Sequence, residues 1–378
     1  MIDWLTAVIP VRHRYINNGH IISVDRFGEE EWHTHKRNTC RGSFESAIQI
    51  CSNDITECHQ FAQNLFIDGN PTKFLQGHNV AGTDDVCLLA FLTVNAIFQQ
   101  FELYDIAYQD GEYTPVRFAH GHTIVVNEFT ERSIKNGNFS IKKIDINYMF
   151  ELENQNDVDA YIDACAEKTR TRHGRALNSK GTVYWGKHSR RWAIKLYSKY
   201  NELLRGGKGH TLPQELINSP LLDYCRAKLR FELRLMKTEL RKLALAFFDA
   251  EEFKASFFNT PVTDDEGNTF NLTPESLFNR YIARIDMNAQ VPITGRKSLQ
   301  LPTKVRGTYE LWRTGHNVRD IISRPTFYRH RKELAQFGID ISLPPANADE
   351  HKSEVVPLVR ILEARPASTS EIQEYLIN

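Results

Sequence analysis

The chain of 378 residues, 41% hydrophobic and 11% aromatic, is long enough to bury a sizeable core and to divide into two or three domains. Basic and acidic residues balance at 47 each, so the formal net charge is +0, which argues against a protein that coats DNA with a uniformly basic surface. Met1-Ile2-Asp3-Trp4 carries no basic region ahead of an apolar stretch, and no segment is apolar over a bilayer-spanning length; a cytoplasmic protein with no membrane partner is expected.

In chain order, alternation predicts a strand over Ser43 to Cys51, with Phe44, Ile48 and Ile50 on one face opposite Glu45 and Gln49. A second apolar run ends in the turn Asp68-Gly69-Asn70-Pro71. The Gln76-Gly77-His78-Asn79 loop follows, suited either to DNA backbone contact, with the glycine allowing close approach, or to a plain structural turn. Val86 to Phe101 predicts a buried helix capped by Thr83, with Asp84 and Asp85 where the helix dipole favours acids. Residues from about Tyr104 to Lys135 read as an irregular excursion, and Asp157 to Lys168 as an amphipathic helix. Between Lys168 and Lys199 stand Arg170, Arg172, Arg175, Lys180, Lys187, Arg190, Arg191 and Lys195 with no acid among them, a local cationic surface in a neutral chain.

Three segments alternate with period two, one face apolar and the other carrying groups suited to phosphate chemistry. In Ile141 to Phe150 the polar face holds Asp145 and Asn147; in Arg191 to Lys199 it holds Lys195, Tyr197 and Lys199; in Leu229 to Met236 it holds Arg230, Glu232 and Arg234. As neighbours, the three strands would bring Asp145, Tyr197 and Glu232 to one sheet surface. A phenol with a pKa of about 10 is a weak nucleophile at neutral pH, so attack on a phosphodiester needs deprotonation and a charged surround. Two carboxylates favour Mg²⁺ or Mn²⁺ over softer metals. Lys195, Lys199, Arg230 and Arg234 would offset charge on the phosphate oxygens, and Glu202 would complete a metal site or act as base. The same pattern also fits half-exposed strands whose polar faces merely meet water. Tyr197 equally suits the start of a helix, since Tyr200, Leu203 and Leu204 follow at helical spacing.

Helical patterns follow at Thr238 to Phe248 and Thr273 to Ile285, the latter opening with Thr-Pro-Glu. After a boundary near Gly295 to Thr303, helices are predicted over Gly307 to Thr314, Asn317 to Ile322 and Pro325 to Phe337, the last exposing Arg329, His330, Arg331 and Lys332. This suits a helix-turn-helix with its last helix in a major groove, or a bundle packed on the rest of the chain. One apolar run, Val355 to Leu362, lies in the polar tail. The elements add up to an α+β fold, a mainly antiparallel sheet flanked by helices and followed by a helical C-terminal region.

Six cysteines without a C-x-x-C pair indicate free thiols rather than a zinc ribbon or a disulfide framework, although Cys51, Cys58 and His59 could be three ligands of an incomplete metal site.

At these residues the sequence resembles the gene II/gene X replication proteins of filamentous phages, related to the initiators of some rolling-circle plasmids. The likeness covers most of the chain. It rests on Met1-Ile2-Asp3-Trp4-Leu5, Gly69-Asn70-Pro71-Thr72-Lys73-Phe74-Leu75-Gln76-Gly77-His78-Asn79-Val80, Lys143-Ile144-Asp145-Ile146-Asn147, Tyr184-Trp185-Gly186-Lys187-His188-Ser189-Arg190-Arg191-Trp192, Tyr197-Ser198-Lys199 and Leu229-Arg230-Phe231-Glu232. The resemblance implies a nickase domain of HUH-like fold over 1–236, a helical connection over 237–300, a helix-turn-helix-like module over 301–345 and a tail over 346–378. It also implies that Tyr197 nicks double-stranded origin DNA through a 5′-phosphotyrosyl link, with Lys199 and Glu202 assisting and Asp145 and Glu232 holding Mg²⁺ or Mn²⁺. Gln76, His78, Asn79, Lys187, Arg190, Arg191, Arg230, Arg234, Arg329 and Arg331 are the expected DNA contacts. The released 3′-OH would serve host helicase and polymerase, and a second transfer would reseal the displaced strand.

Two features depart from the wider His-hydrophobe-His nuclease class: His33-Thr34-His35 and His120-Gly121-His122 lack a bulky hydrophobe between the histidines. Tyr200 suits either a second, terminating nucleophile or a packed aromatic beside Leu203 and Leu204. A tyrosine recombinase also uses an H-x-x-R pair, present here as His188 to Arg191, but Tyr197 follows too closely. A non-catalytic DNA-binding regulator is the remaining alternative.

Overall fold

In a computed structural model, the residues described are 1–42, 44, 46–56, 61–101, 113–117, 123–152, 154–171, 174–207, 211–286, 301–336, 339–342 and 367–377. Nine strands form one sheet, in the spatial order Leu177–Ser179, Thr182–Trp185, Trp192–Ser198, Lys228–Met236, Ser140–Glu151, Ile2–Arg14, Phe61–Gly69, Ala47–Ile55 and Asn38–Arg41. Every neighbouring pair is antiparallel. The α+β expectation therefore holds, and the three alternating segments are adjacent.

The apolar sides of these strands pack against helices Val86–Phe101, Gln155–Lys168, Lys237–Phe248 and Pro274–Ile282 in one continuous core. Phe278 meets Tyr148 at 4.9 Å between ring centroids, Phe150 at 6.2 Å and Phe231 at 6.5 Å. Each fully buried Leu, Ile or Phe contributes about 1.5–3 kcal/mol, so one substitution to a charge on this side would undo the gain from several neighbours. Pro274–Ile282 starts where the sequence indicates: Thr273 and Ser276 form a reciprocal cap ahead of it, with Pro274 at the first position. Helices Lys237–Phe248 and Pro274–Ile282 thus share the core of the sheet.

Several boundaries differ from expectation. The strand expected from Ser43 begins at Ala47, because Phe44 adopts φ 64 in the preceding turn. Asp85, not Thr83, caps Val86–Phe101: its Oδ1 accepts from the Leu88 N–H at 2.8 Å, while Thr83 Oγ1 accepts from Asp85 N–H at 3.0 Å. The excursion expected over 104–135 includes a regular hairpin, Tyr113–Arg117 with Thr123–Asn127, and the helix Glu128–Lys135, whose Ile134 is buried in the main core. A second hairpin, His20–Val24 with Glu30–His35, was not foreseen.

The C-terminal helices Thr303–Arg313, Val318–Ile321 and Arg324–Ala335 close around Tyr309, Trp312, Phe327 and Leu334, a core separate from that of the sheet. The first starts four residues before the expected Gly307. Asp340 ties this module to the sheet domain, accepting from Arg331 and from Arg170. The run Val355 to Leu362, Cys58, His59 and the His120-Gly121-His122 motif lie outside the described residues. Among the described residues no helix is long and apolar enough to cross a membrane, and Cys40, Cys51, Cys87, Cys165 and Cys225 are free thiols.

Candidate active site

Backbone pairing fixes the floor of the site. Lys195 lies opposite Glu232 and Glu232 opposite Asn147; Tyr197 faces Arg230 across the ladder; Ala193 faces Arg234, and Arg234 faces Asp145. Because side chains alternate, these residues share the face turned away from the apolar core. Tyr197 belongs to the strand, not to a helix. Ser198 ends the strand and caps Lys199–Arg205, its side chain accepting from Asn201 N–H at 3.2 Å. That short helix carries Glu202 back beside Lys199, whose Nζ donates to Glu202 Oε2 at 2.5 Å.

The floor opens into a cleft of about 840 Å³ lined by Tyr197, Lys199, Glu202, Asp145, Glu232, Lys195 and Arg234. Asp3, Trp4, Lys73 and Asn79 line it as well. Asp3 was given no role from the sequence, and the reason is local. Ile2 pairs with Ile146 and Trp4 with Asp145, so the N-terminal strand has one residue more than its partner, a bulge that turns both Asp3 and Trp4 toward the cleft. The signal was present in the apolar positions Ile2, Leu5, Ala7, Ile9 and Val11, whose first interval breaks the period of two.

Charged groups of the floor are held by partners. Arg234 spans Asp145, with Nε 3.0 Å from both carboxylate oxygens and Nη2 2.7 Å from Oδ2. Lys195 Nζ donates to Glu232 Oε1 at 2.5 Å. Burial raises the Glu232 carboxyl above its ordinary range; Lys195 opposes this, while the negative charges of Asp3 and Asp145 add to it. Asp3 Oδ1 accepts from Asn70 at 2.7 Å and Asn79 at 2.8 Å, with Arg230 Nη2 at 3.3 Å. Burial alone would raise Asp3, but Arg230, the Asn79 hydrogen bond and Lys199 outweigh it, so its carboxyl is lowered.

Tyr197 is 8% exposed. Burial raises its phenol well above the ordinary value; Arg230, 6.0 Å from the ring centroid, opposes this and the charges of Glu232, Glu202 and Asp3 reinforce it. The hydroxyl is therefore protonated until a base takes its proton.

Three carboxylates, Asp3, Asp145 and Glu232, supply hard oxygen donors whose mutual repulsion a divalent cation would relieve. The donor chemistry fits Mg²⁺ or Mn²⁺. Lys195 and Arg234 now hold two of them, and among the described residues no group of three or more His, Cys, Asp or Glu stands in ligating geometry. His33 and His35 sit instead on the exposed hairpin, where the His20 and His35 rings lie 4.5 Å apart and Tyr15 Oη is 3.1 Å from His35 Nδ1.

The expected DNA contacts divide into two groups. Lys187, Arg190 and Arg329 are exposed. Lys187 and Arg191 line a second pocket of about 390 Å³ together with His188 and Trp192, and Arg191 also donates to Glu239 at 2.6 Å. The rest line the cleft, as Arg234 and Asn79 do, or are taken up by partners within the chain. Arg230 is 0% exposed and serves Asp3 and the Asn79 carbonyl. Gln76 and His78 are buried, Gln76 donating to Ala81 O at 2.7 Å and His78 Nε2 meeting Tyr375 O at 3.0 Å. Gly77 adopts φ +83, and its open side is filled by the Phe44 ring, so the close approach it permits is to this chain. Arg331 is paired with Asp340 at 2.8 Å. Of the Gln76–Asn79 loop, Asn79 lines the cleft. Tyr200 is partly buried beside Leu203, which favours the packed-aromatic reading.

Comparison with known proteins places these features in a lineage. Residues 1–255 match the family model of the N-terminal region of the gene II replication-associated protein, and residues 293–371 match that of its C-terminal region. The chain is 37% identical over 379 residues to the replication-associated protein of Enterobacteria phage I2-2, covering 100% of this chain and 97% of that one. It is 26% identical to the corresponding protein of Enterobacteria phage M13 over 363 residues, covering 84% of this chain and 80% of that one. No solved structure matches. The chain belongs to the gene II replication-associated protein family of filamentous phages.

Proposed function

We propose that this protein initiates phage DNA replication as a nicking and closing endonuclease of double-stranded origin DNA. Tyr197 Oη attacks the scissile phosphorus while its proton passes to Glu202, which lines the same cleft; the P–O3′ bond breaks, leaving a 5′-phosphotyrosyl link and a 3′-oxyanion that takes up a proton from solvent. In the closing step a 3′-OH of the displaced strand attacks the phosphotyrosine, and Tyr197 recovers its proton. Lys195, Lys199 and Arg234 offset charge on the phosphate oxygens, and Arg230 holds the tyrosine ring from below. Asp145 and Glu232, with Asp3, would hold Mg²⁺ or Mn²⁺, which would polarise the phosphate. The sheet is read as an HUH-like nickase scaffold and the last three helices as a helix-turn-helix-like module. Its DNA face is drawn from Arg329 and from a cavity of about 290 Å³ lined by Arg319, Arg324, Phe327 and Tyr328. Host helicase and polymerase would use the freed 3′-OH in the host cytoplasm.

The observation that carries this reading is that Tyr197, Asp145 and Glu232 face one cleft from three adjacent strands in a member of a replication-associated family. The test is a supercoiled plasmid bearing the phage origin. Tyr197→Phe should bind it and leave it supercoiled; relaxation by that variant would remove Tyr197 as nucleophile. Identifying which DNA end stays joined to the linked peptide fixes polarity, since a 3′-phosphotyrosine would indicate recombinase-type chemistry. For the metal, Mn²⁺ added without DNA should raise the unfolding temperature of the wild-type protein. Asp145→Asn or Glu232→Gln should lose that shift. An equal shift in both variants would place the ion elsewhere.

A further inference from the structure

We propose that residues 367–377, at the far end of the chain, are a positioning strap that completes the nicking cleft by fixing the Gln76–Ala81 loop; this rests on Tyr197 acting as described above.

The strap is held by both backbone and side chains. Ala367 N–H donates to Met149 O at 2.8 Å, on the strand that carries Asp145. Ile377 N–H donates to Gln76 Oε1 at 3.1 Å, and His78 Nε2 donates to Tyr375 O at 3.0 Å. Ile372, 0% exposed, and Leu376 enter an apolar cluster with Val80, Ala81 and Met149.

His78 is the hinge of this arrangement. With its proton on Nε2 toward Tyr375, Nδ1 can accept from Val80 N–H at 3.3 Å and Gln76 Nε2 at 3.2 Å. Every polar group of the ring is then satisfied by the strap on one side and by the loop on the other. Asn79, the next residue, points the opposite way: its Nδ2 donates to Asp3 Oδ1 at 2.8 Å and its carbonyl accepts from Arg230, beneath the Tyr197 ring. The chain of contacts runs from strap to His78, to Asn79, to Asp3 and Arg230, to the nucleophile. No residue of the strap lines the cleft, so its part is positional. Displacing a reacting group by an ångström costs about 100-fold in rate, which sets the scale of the expected effect.

The experiment uses the full-length chain with Ile372→Asp and, as a milder variant, Ile372→Ala. Expected are intact binding to origin DNA, a nicking rate reduced by about 100-fold for Ile372→Asp and less for Ile372→Ala, and faster amide exchange at Asn79 to Ala81. A synthetic peptide spanning residues 367–378, added in trans, should restore part of the rate. His78→Ala should share the defect, and His78→Gln, which keeps a donor toward Tyr375, should recover much of it. Unchanged exchange at Asn79 to Ala81, or full nicking with that loop exposed to exchange, overturns the strap. The exchange measurement does not depend on nicking, so a failure of Tyr197→Phe to abolish activity overturns the nucleophile assignment separately.

Discussion

The cleft has a floor and a wall, and they are built in different ways. The floor is three strands in a continuous antiparallel ladder, so the relative places of Asp145, Tyr197 and Glu232 follow from backbone pairing that no single side chain controls. The wall is the Gln76–Ala81 loop, whose polar groups are satisfied by particular side chains and by backbone far along the chain. Such a wall yields to one substitution where the floor does not. The contrast predicts that variants altering the cleft without abolishing the fold concentrate at the wall and at its joint with the floor.

Arg230 is that joint. It belongs to a floor strand, is 0% exposed, and reaches Asn79 O and Asp3 on the wall side. Its Nε and Nη2 are without a hydrogen-bond partner among the described residues, and the carboxylate that faces it is Asp3, 3.3 Å from Nη2. Arg230→Met should leave a buried, uncompensated carboxylate and lower stability by about 3–5 kcal/mol in chemical denaturation. Adding Asp3→Asn to the same chain should recover most of the loss. A cost below about 1 kcal/mol for Arg230→Met alone would mean that floor and wall are joined by other contacts.

The same contrast explains which parts could be read from the sequence. Alternation in Ile141 to Phe150, Arg191 to Lys199 and Leu229 to Met236 states which side chains share a face, and the strands proved adjacent. Tyr197, Asp145 and Glu232 were legible for that reason. The loop around Gly77 suits either DNA contact or a structural turn by sequence, because the partners of Gln76 and His78, Ile377 and Tyr375, lie 301 and 297 residues away. No local pattern encodes such a contact. The same holds for Arg331, since a helical face shows which residues point outward but not that Asp340 returns to meet one of them. Asp3 differs, because its signal is local: the period of two breaks at the start of its strand.

A second way to separate floor from wall uses pH. Burial lowers His78 from 6.5 to about 4, its hydrogen bond to Tyr375 opposing this and the nearby Lys199, Arg230 and Lys73 reinforcing it. The folded protein therefore keeps His78 neutral where the unfolded chain protonates it. That contribution is complete above pH 6.5 and is lost as pH falls from there toward 4. From these values the loss at pH 5 is about 2 kcal/mol. Comparing stability at pH 7 and pH 5, the wild type should lose about 2 kcal/mol more than His78→Gln. Equal losses in the two proteins would show that the strap and loop do not keep this imidazole neutral.

The smallest effect should come from Asn79→Ala. The side chain supplies one of two amide hydrogen bonds to Asp3 Oδ1, the other coming from Asn70 at 2.7 Å, while the carbonyl that receives Arg230 is backbone and survives. A stability loss of only about 1 kcal/mol is expected. The Asp3 carboxyl, lowered in part by that hydrogen bond, should titrate at higher pH, visible in its carbon chemical shift. Asn79→Asp should be worse than Asn79→Ala, because it replaces a donor with a second negative charge facing Asp3. If the two variants behaved alike, Asn79 would matter to the wall only through its backbone, and the side-chain bridge to Asp3 would carry no part of the coupling between loop and floor.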